Sequence, residues 1–245
     1  MKVIILAAGR GSRLGERTKD RPKCMCTLQG RTLLIRCLET LEQAGIFKKE
    51  IGIVTGYRSD MFTVSDVTYF HNDIWEQTNM FYSLTMAEGW LKKEPCLVCY
   101  SDIVFSSKVI QTLADSTAPL AITSYSGCWE LWEKRMNNPL EDLETFKVDS
   151  DGRLTEIGKK PSVREDIQGQ FMGLLRFTPE SWGWVEKTIR EPLSKPLNKL
   201  DMTTLLQELL LRNYPIEAVS TDDLWLECDS EHDIEVYEKY FGEML

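Results

Sequence analysis

The first 23 residues constrain the fold more than any other stretch of the chain. Residues 3–8 read VIILAA, an apolar run of strand length, and residues 9–13 follow at once as the basic loop GRGSR. The loop continues to Arg21, Pro22 and Lys23. Glycines let backbone N–H groups approach an anion closely, and Arg and Lys side chains neutralise it. An apolar strand that ends in such a loop therefore predicts a phosphate site at its C-terminal end.

The composition excludes several classes of function. The chain has 245 residues, of which 42% are hydrophobic and 27% charged, and these proportions are typical of a soluble α/β domain. We expect a cytoplasmic protein without a membrane partner, because no apolar run would span a bilayer and no signal-peptide pattern is present. The net charge of -9 argues against a nucleic acid partner and makes the basic loop an exception to the trend.

The seven cysteines do not indicate a disulfide framework, because their number is odd and their spacing is irregular. Cys96 and Cys99 have CxxC spacing, but they lie inside an apolar strand run, whereas a redox motif normally begins a helix. We therefore expect these two to be buried, reduced thiols. Only two histidines accompany the cysteines, so a structural zinc site is not expected.

Strands alternate with helices over the first hundred residues. After the first strand, the pattern predicts a helix at 31–45, strands at 51–54 and 67–70, a helix at 79–91 and a strand at 96–100. This alternation predicts a mostly parallel sheet with helices on both faces. Ligands of such sheets bind beyond the carboxyl ends of the strands. Four residues fall at those ends, namely Gly9, Gly56, Asn72 and Asp102.

The second half combines further strands with an excursion. Strands are expected at 119–124, 174–177, 216–219 and 224–228, and helices are expected to begin at Thr178, Asp201 and Ser230. Residues 150–152, Ser-Asp-Gly, separate two strand patterns and predict a hairpin. We expect residues 127–170 to form a small β-rich excursion over the ligand end of the sheet.

The first loop does not match the best-known nucleotide motifs. No Gly-Lys-Ser/Thr closes it, which excludes a Walker A loop, and Leu14 stands where a dinucleotide fingerprint has its third glycine.

Asp102 and Asp229 each follow a predicted strand. A carboxylate there commonly caps a helix or contacts solvent, but the pair also suits Mg²⁺, which takes one or two carboxylates together with phosphate oxygens.

Several motifs together resemble a known family. Two at the N-terminus resemble the signature of nucleotidyltransferases that make NDP-sugars and CDP-alcohols, namely LAAGRGSRL at 6–14 and RPKCM at 21–25. The bacterial phosphocholine cytidylyltransferase branch is indicated by NMFYSL at 79–84, YSDI at 100–103 and WLECDS at 225–230. The middle of the chain is most similar to the CTP:phosphoglutamine cytidylyltransferases of capsular phosphoramidate synthesis, through ELWEKRM at 130–136, NPLED at 138–142, GKKP at 158–161 and GQFMG at 169–173.

The resemblance implies a fold and a set of roles. It implies one Rossmann-like nucleotidyltransferase domain over residues 1–245, with a nucleotide-binding half at 1–126 and an acceptor-binding, closing half at 127–245. The implied catalytic residues are Arg13 and Lys23, and the implied ligands of Mg²⁺ are Asp102 and Asp229. The implied nucleotide-binding residues are Leu6, Ala8, Gly9, Gly11, Ser12, Gly56, Asn79 and Ser83. The implied acceptor-binding residues are Trp129, Trp132, Arg135, Lys160 and Gln170.

The implied reaction joins CTP to a small phosphorylated acceptor. The favoured acceptor is L-glutamine phosphate, which would give CDP-L-glutamine, because Arg135, Lys160 and Gln170 suit a polar acceptor better than choline. Three alternatives stay open: a phosphocholine or aminoalkylphosphonate cytidylyltransferase, a sugar-1-phosphate nucleotidyltransferase, and a nucleotide-binding protein without catalysis. The last should lack Asp102 or Asp229, and both acids are present.

Overall fold

Strands and helices alternate through most of the chain. The computed structural model describes residues 1–244, which contain thirteen strands and eight α-helices. The strands are β1 (Lys2–Ala7), β2 (Thr27–Leu28), β3 (Arg31–Thr32), β4 (Ile51–Thr55), β5 (Thr68–His71), β6 (Cys96–Tyr100), β7 (Ile103–Phe105), β8 (Leu120–Tyr125), β9 (Phe146–Val148), β10 (Leu154–Ile157), β11 (Gln170–Phe177), β12 (Glu217–Thr221) and β13 (Trp225–Glu227). The helices are α1 (Leu33–Gln43), α2 (Met80–Thr85), α3 (Glu88–Leu91), α4 (Ser107–Asp115), α5 (Cys128–Arg135), α6 (Pro179–Thr188), α7 (Met202–Leu211) and α8 (Glu231–Phe241).

A seven-stranded sheet forms the centre, in the order β12-β8-β11-β6-β1-β4-β5. β1 pairs in parallel with both β4 and β6, and β4 pairs in parallel with β5. β11 runs antiparallel to β6 and β8, while β12 is parallel to β8. The mostly parallel α/β sheet expected from the sequence is therefore confirmed. Three two-stranded antiparallel sheets, β2–β3, β7–β13 and β9–β10, lie beside it.

Both faces of the sheet are covered by apolar side chains. Successive residues of a strand point to opposite faces. In β1, Val3 and Ile5 join a core with residues of α1, α4, α5 and α8, whereas Ile4 and Leu6 join a core with residues of α2, α6 and α7. A strand buried on both faces reads as a continuous apolar run, which explains the sequence of residues 3–8.

Most predicted element boundaries are confirmed to within two residues. α1 begins after its cap Thr32, whose side chain accepts the N–H of Ile35, and Gly45 beyond its end has the positive φ expected there. The helix predicted at 79–91 is wrong in one respect, because it is two short helices. Ala87 leaves the helical region, with φ -97° and ψ 14°, and separates α2 from α3. The helices α4 and α5, the strand β7 and the two-residue strands β2 and β3 were not predicted from the sequence.

The excursion leaves and rejoins the sheet at the carboxyl edge of its parallel strands. It starts after β8 and returns at the first residue of β11, which runs the opposite way. It contains the predicted hairpin of β9 and β10, and also the helix α5. α5 packs against α8, whereas β10 packs against α7, so the excursion contacts both layers of helices.

All seven cysteine side chains are buried and free, which confirms the buried thiols predicted at Cys96 and Cys99. The Sγ atoms of Cys37 and Cys99 are 3.6 Å apart. Within residues 1–244, none of the helices combines the length and apolar character needed to cross a bilayer.

Candidate active site

The glycine-rich loop after β1 packs directly against Lys23. Gly11 has φ +75°, and a Cβ built on it would lie 2.6 Å from the Cβ of Lys23. Only glycine combines this backbone conformation with such a close approach. The buried hydroxyl of Thr18 donates to the carbonyl of Gly11 at 3.1 Å and closes the loop. Ser12 and Arg13, between these contacts, are exposed at the carboxyl edge.

Lys23 lies between two carboxylates. Its Nζ is 2.6 Å from Asp102 Oδ2 and 2.5 Å from Asp229 Oδ1. Arg13 Nη2 also contacts Asp229 Oδ1, at 2.9 Å. We call Arg13, Lys23, Asp102 and Asp229 the charge cluster. The structure thus brings together the two predicted catalytic residues and the two predicted metal ligands, which are up to 216 positions apart in the chain.

The electrostatics of the charge cluster favour ionised side chains. Burial opposes the charge on Lys23, but the carboxylates of Asp102 and Asp229 outweigh it and raise the pKa of the ammonium. Burial would likewise raise the pKa of Asp229. The charge and hydrogen bond of Lys23, with a further contribution from Arg13, lower that pKa below its ordinary value. The cluster therefore holds cations and carboxylates in contact at the edge of the sheet.

Backbone pairing holds the two carboxylates together. Asp102 lies between β6 and β7, and β7 pairs with β13 so that Ile103 is opposite Glu227. The N–H of Cys228 donates to the carbonyl of Asp102 at 2.9 Å. Asp229 lies two residues beyond the end of β13, and its own N–H donates to Asp233 Oδ2 in the first turn of α8 at 3.0 Å. The ends of β6 and β13 are thereby fixed next to each other.

The donor atoms of the charge cluster fit a hard cation. Asp102 Oδ1 is buried without a hydrogen-bond partner, so one carboxylate oxygen is left free for a ligand. Carboxylate oxygens are the protein ligands that Mg²⁺ prefers, and phosphate oxygens commonly complete its shell. Among residues 1–244, no group of three or more His, Cys, Asp or Glu side chains is arranged as a ready-made metal site. The residues present thus suit a cation that is bound together with phosphate.

Glu227 is a third acid near the cluster that the sequence analysis missed. Burial and the neighbouring charges of Asp229 and Asp102 raise the pKa of its carboxyl to about 8. The signal was present in the sequence, because Glu227 is two positions before Asp229 and side chains two apart in a strand share a face.

A recess of about 130 Å³ opens next to the loop, at the end of β1. We call it the edge recess. It is lined by five residues predicted to bind nucleotide, Leu6, Ala8, Gly9, Asn79 and Ser83, and by three that were missed, Trp75, Thr78 and Met80. The predicted Gly56 does not line it but supports it. A Cβ on Gly56 would lie 2.6 Å from the Cβ of Trp75 and 2.7 Å from the carbonyl oxygen of Ala8.

Two residues predicted to bind the acceptor lie in the interior, and the prediction is corrected for them. Trp132 is 1% exposed and stacks on Trp225 with ring centroids 5.9 Å apart. Arg135 is also buried, lies over the ring of Trp132 at 4.3 Å, and donates to Asp233 Oδ1 at 2.8 Å. Trp225 and Asp233, which cover these two side chains, are about a hundred positions away in the chain. The spacing of residues within α5 could not reveal such contacts.

The other three predicted acceptor residues lie at or near the surface. Trp129 is half-buried, with the guanidinium of Arg164 over its ring at 4.7 Å. The exposed Lys160 donates to the carbonyl of Glu141 at 2.6 Å. Gln170 is the first residue of β11, at the carboxyl edge of the sheet, and is half-buried.

Comparisons with known proteins agree with this geometry. Residues 3–162 match the family model described as a MobA-like NTP transferase domain. The chain is 34% identical to the CTP:phosphoglutamine cytidylyltransferase of Campylobacter jejuni, over 96% of this chain and 98% of that protein. It is also 34% identical to the choline-phosphate cytidylyltransferase of Haemophilus influenzae, over 46% of this chain and 48% of that protein.

The fold is shared with solved nucleotidyltransferases. The structure of the CTP:phosphocholine cytidylyltransferase of Streptococcus pneumoniae superposes with a TM-score of 0.71 at 19% identity, and the match covers 98% of both chains. The inositol-1-phosphate CTP transferase of T. maritima gives a TM-score of 0.72 at 19% identity, over 97% of this chain and 95% of that one. The chain belongs to the family of MobA-like NTP transferases and is a nucleotidyltransferase related to the cytidylyltransferases.

Proposed function

We propose that this chain transfers the cytidylyl group of CTP to the phosphate of a small metabolite and releases pyrophosphate. The observation that supports it best is the charge cluster next to the edge recess. Gly9 lines the recess and Gly11 packs on Lys23, so one loop contacts both places. A nucleoside in the recess would have its phosphates beside Arg13 and Lys23.

The reaction requires two anions to meet. An oxygen of the acceptor phosphate attacks the α-phosphorus of CTP in line, the new O–P bond forms, and the bond to the β-phosphate oxygen breaks. Arg13 and Lys23 neutralise charge on the transferring and leaving phosphates. A phosphate monoester is largely ionised near neutral pH and needs no protein base to remove a proton. This agrees with a charge cluster that contains no histidine.

Asp102 and Asp229 are the residues that we propose to hold Mg²⁺. The ion, when bound, would supply Lewis-acid neutralisation of the phosphate oxygens. The free Oδ1 of Asp102 supports this assignment. Without the ion, Lys23 keeps both carboxylates in place by bonding to each of them.

We propose L-glutamine phosphate as the acceptor, with CDP-L-glutamine as the product. The support is the 34% identity, over nearly the full length of both chains, to a protein named CTP:phosphoglutamine cytidylyltransferase. Trp129, Lys160 and Gln170 remain the candidates for acceptor contacts. A cytoplasmic location and a part in capsular phosphoramidate synthesis belong to the same proposal.

Pyrophosphate release tests the proposal directly. The assay contains Mg²⁺ and CTP with one acceptor at a time: L-glutamine phosphate, phosphocholine, 2-aminoethylphosphonate or a sugar 1-phosphate. We expect the highest rate with L-glutamine phosphate, and a rate about 100-fold lower in Lys23→Met, because a preorganised charge is lost. Lys19→Met is the matched control, since Lys19 is an exposed lysine of the same loop, paired with Glu16.

Two results would contradict the proposal. Release with the sugar phosphate alone would make the chain a sugar-1-phosphate nucleotidyltransferase. Tight CTP binding without release for any acceptor would make it a nucleotide-binding protein.

A further inference from the structure

Asn72 is a fully buried amide behind the edge recess. Its side chain is 0% exposed. The Nδ2 group donates to Thr78 Oγ1 at 2.9 Å and to Ser83 Oγ at 3.0 Å, and Oδ1 accepts the N–H of Ile74 at 3.1 Å. The N–H of Ile74 can only donate, so it fixes Oδ1 on its own side of the amide. Both amide protons therefore point at the two hydroxyls.

The two hydroxyls differ in where their own protons go. Thr78 Oγ1 donates to the carbonyl of Ile74 at 3.1 Å, so its proton is already used inside the protein. Ser83 Oγ accepts from Asn72, and no acceptor within residues 1–244 takes the proton of Ser83. Ser83 is buried and lines the edge recess. It keeps its proton and one lone pair, and the proton is the group that still lacks a partner. The recess is where a ligand could accept it.

We propose that Asn72 sets the base preference of this site by holding Ser83 as a hydrogen-bond donor. This inference rests on the proposed function and deepens it. N3 of cytosine is an acceptor, whereas N3 of uracil carries a proton. A donating Ser83 hydroxyl pairs with N3 of cytosine. It could accept N3–H of uracil on its remaining lone pair only by leaving its own proton unpaired in a buried site, which is costly. Asn72 itself touches no nucleotide and acts as a positioning residue.

The substitution Asn72→Asp reverses the polarity of this arrangement. The carboxylate keeps the size of the amide and still accepts from Ile74, but it has no protons to donate. The Ser83 hydroxyl then donates to the carboxylate and turns a lone pair towards the recess. That lone pair suits N3–H of uracil. We expect the ratio of the CTP and UTP association constants to fall at least about tenfold.

Calorimetric titration of CTP and UTP without acceptor measures this ratio free of turnover. Ser83→Ala removes the donor and should abolish the CTP preference. This second variant tests the inference even if Asn72→Asp does not fold. Thr78→Val is the matched control. It removes the other hydroxyl bonded to Asn72 and should leave the ratio unchanged, even if both affinities fall.

The outcomes separate this inference from the function on which it rests. The wild-type chain alone tests the function, since a preference for a nucleotide other than CTP would contradict it. A folded Asn72→Asp protein with the wild-type ratio would overturn the role of Asn72 while the cytidylyl function stands. Full CTP preference in Ser83→Ala would also overturn the role proposed for Asn72.

Discussion

At the scale of single residues, the charge cluster depends on one lysine. Two carboxylates close together repel each other, and a buried charge without a partner is costly. Lys23 removes both problems, because its ammonium bonds to Asp102 and Asp229 at once. Its position is set in turn by Gly11, whose missing Cβ leaves the space that the Lys23 stem fills. Backbone conformation and charge are thus linked at this point.

Gly11→Ala should lower activity more than Gly15→Ala does. Both glycines have positive φ, but Gly15, at φ 54° and ψ -125°, lies outside the left-handed region that Gly11 occupies at φ 75° and ψ 52°. Backbone strain is therefore at least as large for Gly15→Ala as for Gly11→Ala. Only the methyl group on Gly11 would collide with Lys23, since a Cβ on Gly15 meets no atom within 4 Å. We expect roughly a tenfold or greater loss of kcat/KM for Gly11→Ala, because displacement of about 1 Å at a reacting site costs that much or more.

Pyrophosphate release and thermal unfolding, measured on both variants, check this prediction. A much lower rate in Gly11→Ala, at a melting temperature no lower than that of Gly15→Ala, would support it. Equal rates would mean that the approach of Gly11 to Lys23 has no catalytic consequence.

The sequence predicted the charge cluster better than the residues predicted to bind the acceptor. Arg13 lies in the loop after β1 and Asp102 follows β6, and the alternation of strands and helices is enough to place these two strand ends at one edge. Asp229 follows β13, which lies outside the central sheet, so its place beside Asp102 was implied by the family resemblance and not by the alternation. The burial of Trp132 and Arg135 depends instead on Trp225 and Asp233, which approach only in the folded chain. Local patterns carry no information about such partners.

At the scale of elements, the junction of β13 and α8 supports the site. Asp233 lies in the first turn of α8, and its Oδ2 accepts the N–H groups of Asp229 and Ser230 at 3.0 and 2.8 Å. Its Oδ1 accepts from Arg135 of α5. Ser230 completes the capping box by accepting the N–H of Asp233 at 3.2 Å. One helix cap therefore joins Asp229 to the excursion.

Asp233→Ala should lower the unfolding free energy and the activity far more than Ser230→Ala does. Loss of the Ser230 cap removes one hydrogen bond and costs about 1 kcal/mol of unfolding free energy. Loss of the Asp233 carboxylate removes the hydrogen-bonded partner of the buried Arg135 guanidinium, which keeps the longer 4.0 Å contact with Asp142. We expect this loss to cost about 3–5 kcal/mol and to free the backbone of Asp229. We expect Ser230→Ala to keep its activity and Asp233→Ala to lose both stability and activity.

Urea unfolding gives the two free energies, and pyrophosphate release below both melting temperatures gives the activities. A comparable loss of stability in the two variants would contradict the role assigned to Asp233.

The sequence predicted the start of a helix well where the capping residue lies next to that helix in the chain. Ser230, Asp201 and Thr178 were each predicted to begin a helix, and each side chain accepts an N–H of the first turn. The antiparallel direction of β11 was not predicted. It depends on how the excursion returns to the edge, and that return is decided by packing against α7 and α8 rather than by the strand's own residues.

At the scale of the whole molecule, stability should depend on pH through Glu208. Burial raises the pKa of this carboxyl, but the hydrogen bonds from Ser194 and Arg212 outweigh it and hold the pKa below its usual value of 4.5. A lowered pKa in the folded state adds stability above pH 4.5, and that stability is lost as the pH falls through the lowered pKa.

Glu208→Gln should therefore destabilise the protein by about 1–3 kcal/mol at pH 7 and by much less near pH 3. Glu191→Gln is the matched control, since Glu191 bonds to the same Arg212 but its side chain is 60% exposed. Urea unfolding across this pH range checks the prediction. A penalty that is the same at both pH values would show that the ionised carboxylate contributes no stability.

Nucleotide binding should stabilise the whole molecule through two contributions, one that requires Mg²⁺ and one that does not. A ligand that binds only the folded state at 100 times its Kd adds about 2.7 kcal/mol, which raises the Tm of a chain of this size by roughly 5–10 °C. Arg13, Lys23 and the loop contact phosphate with or without metal, whereas the proposed Mg²⁺ requires Asp102. We expect CTP to raise Tm further with Mg²⁺ than with a chelator.

In Asp102→Asn, the additional rise in Tm that CTP causes with Mg²⁺ should be lost. The rise in Tm that CTP causes with a chelator should remain, because the substitution removes one anionic ligand of the metal but no cation that contacts phosphate. The matched control is Asp115→Asn, an exposed aspartate at the end of α4. Thermal unfolding of the three proteins, each with CTP plus Mg²⁺ or chelator, separates the two parts. If CTP raised the Tm of the wild type equally under both conditions, the metal would have no place at Asp102. The charge cluster would then act on the phosphates through Arg13 and Lys23 alone.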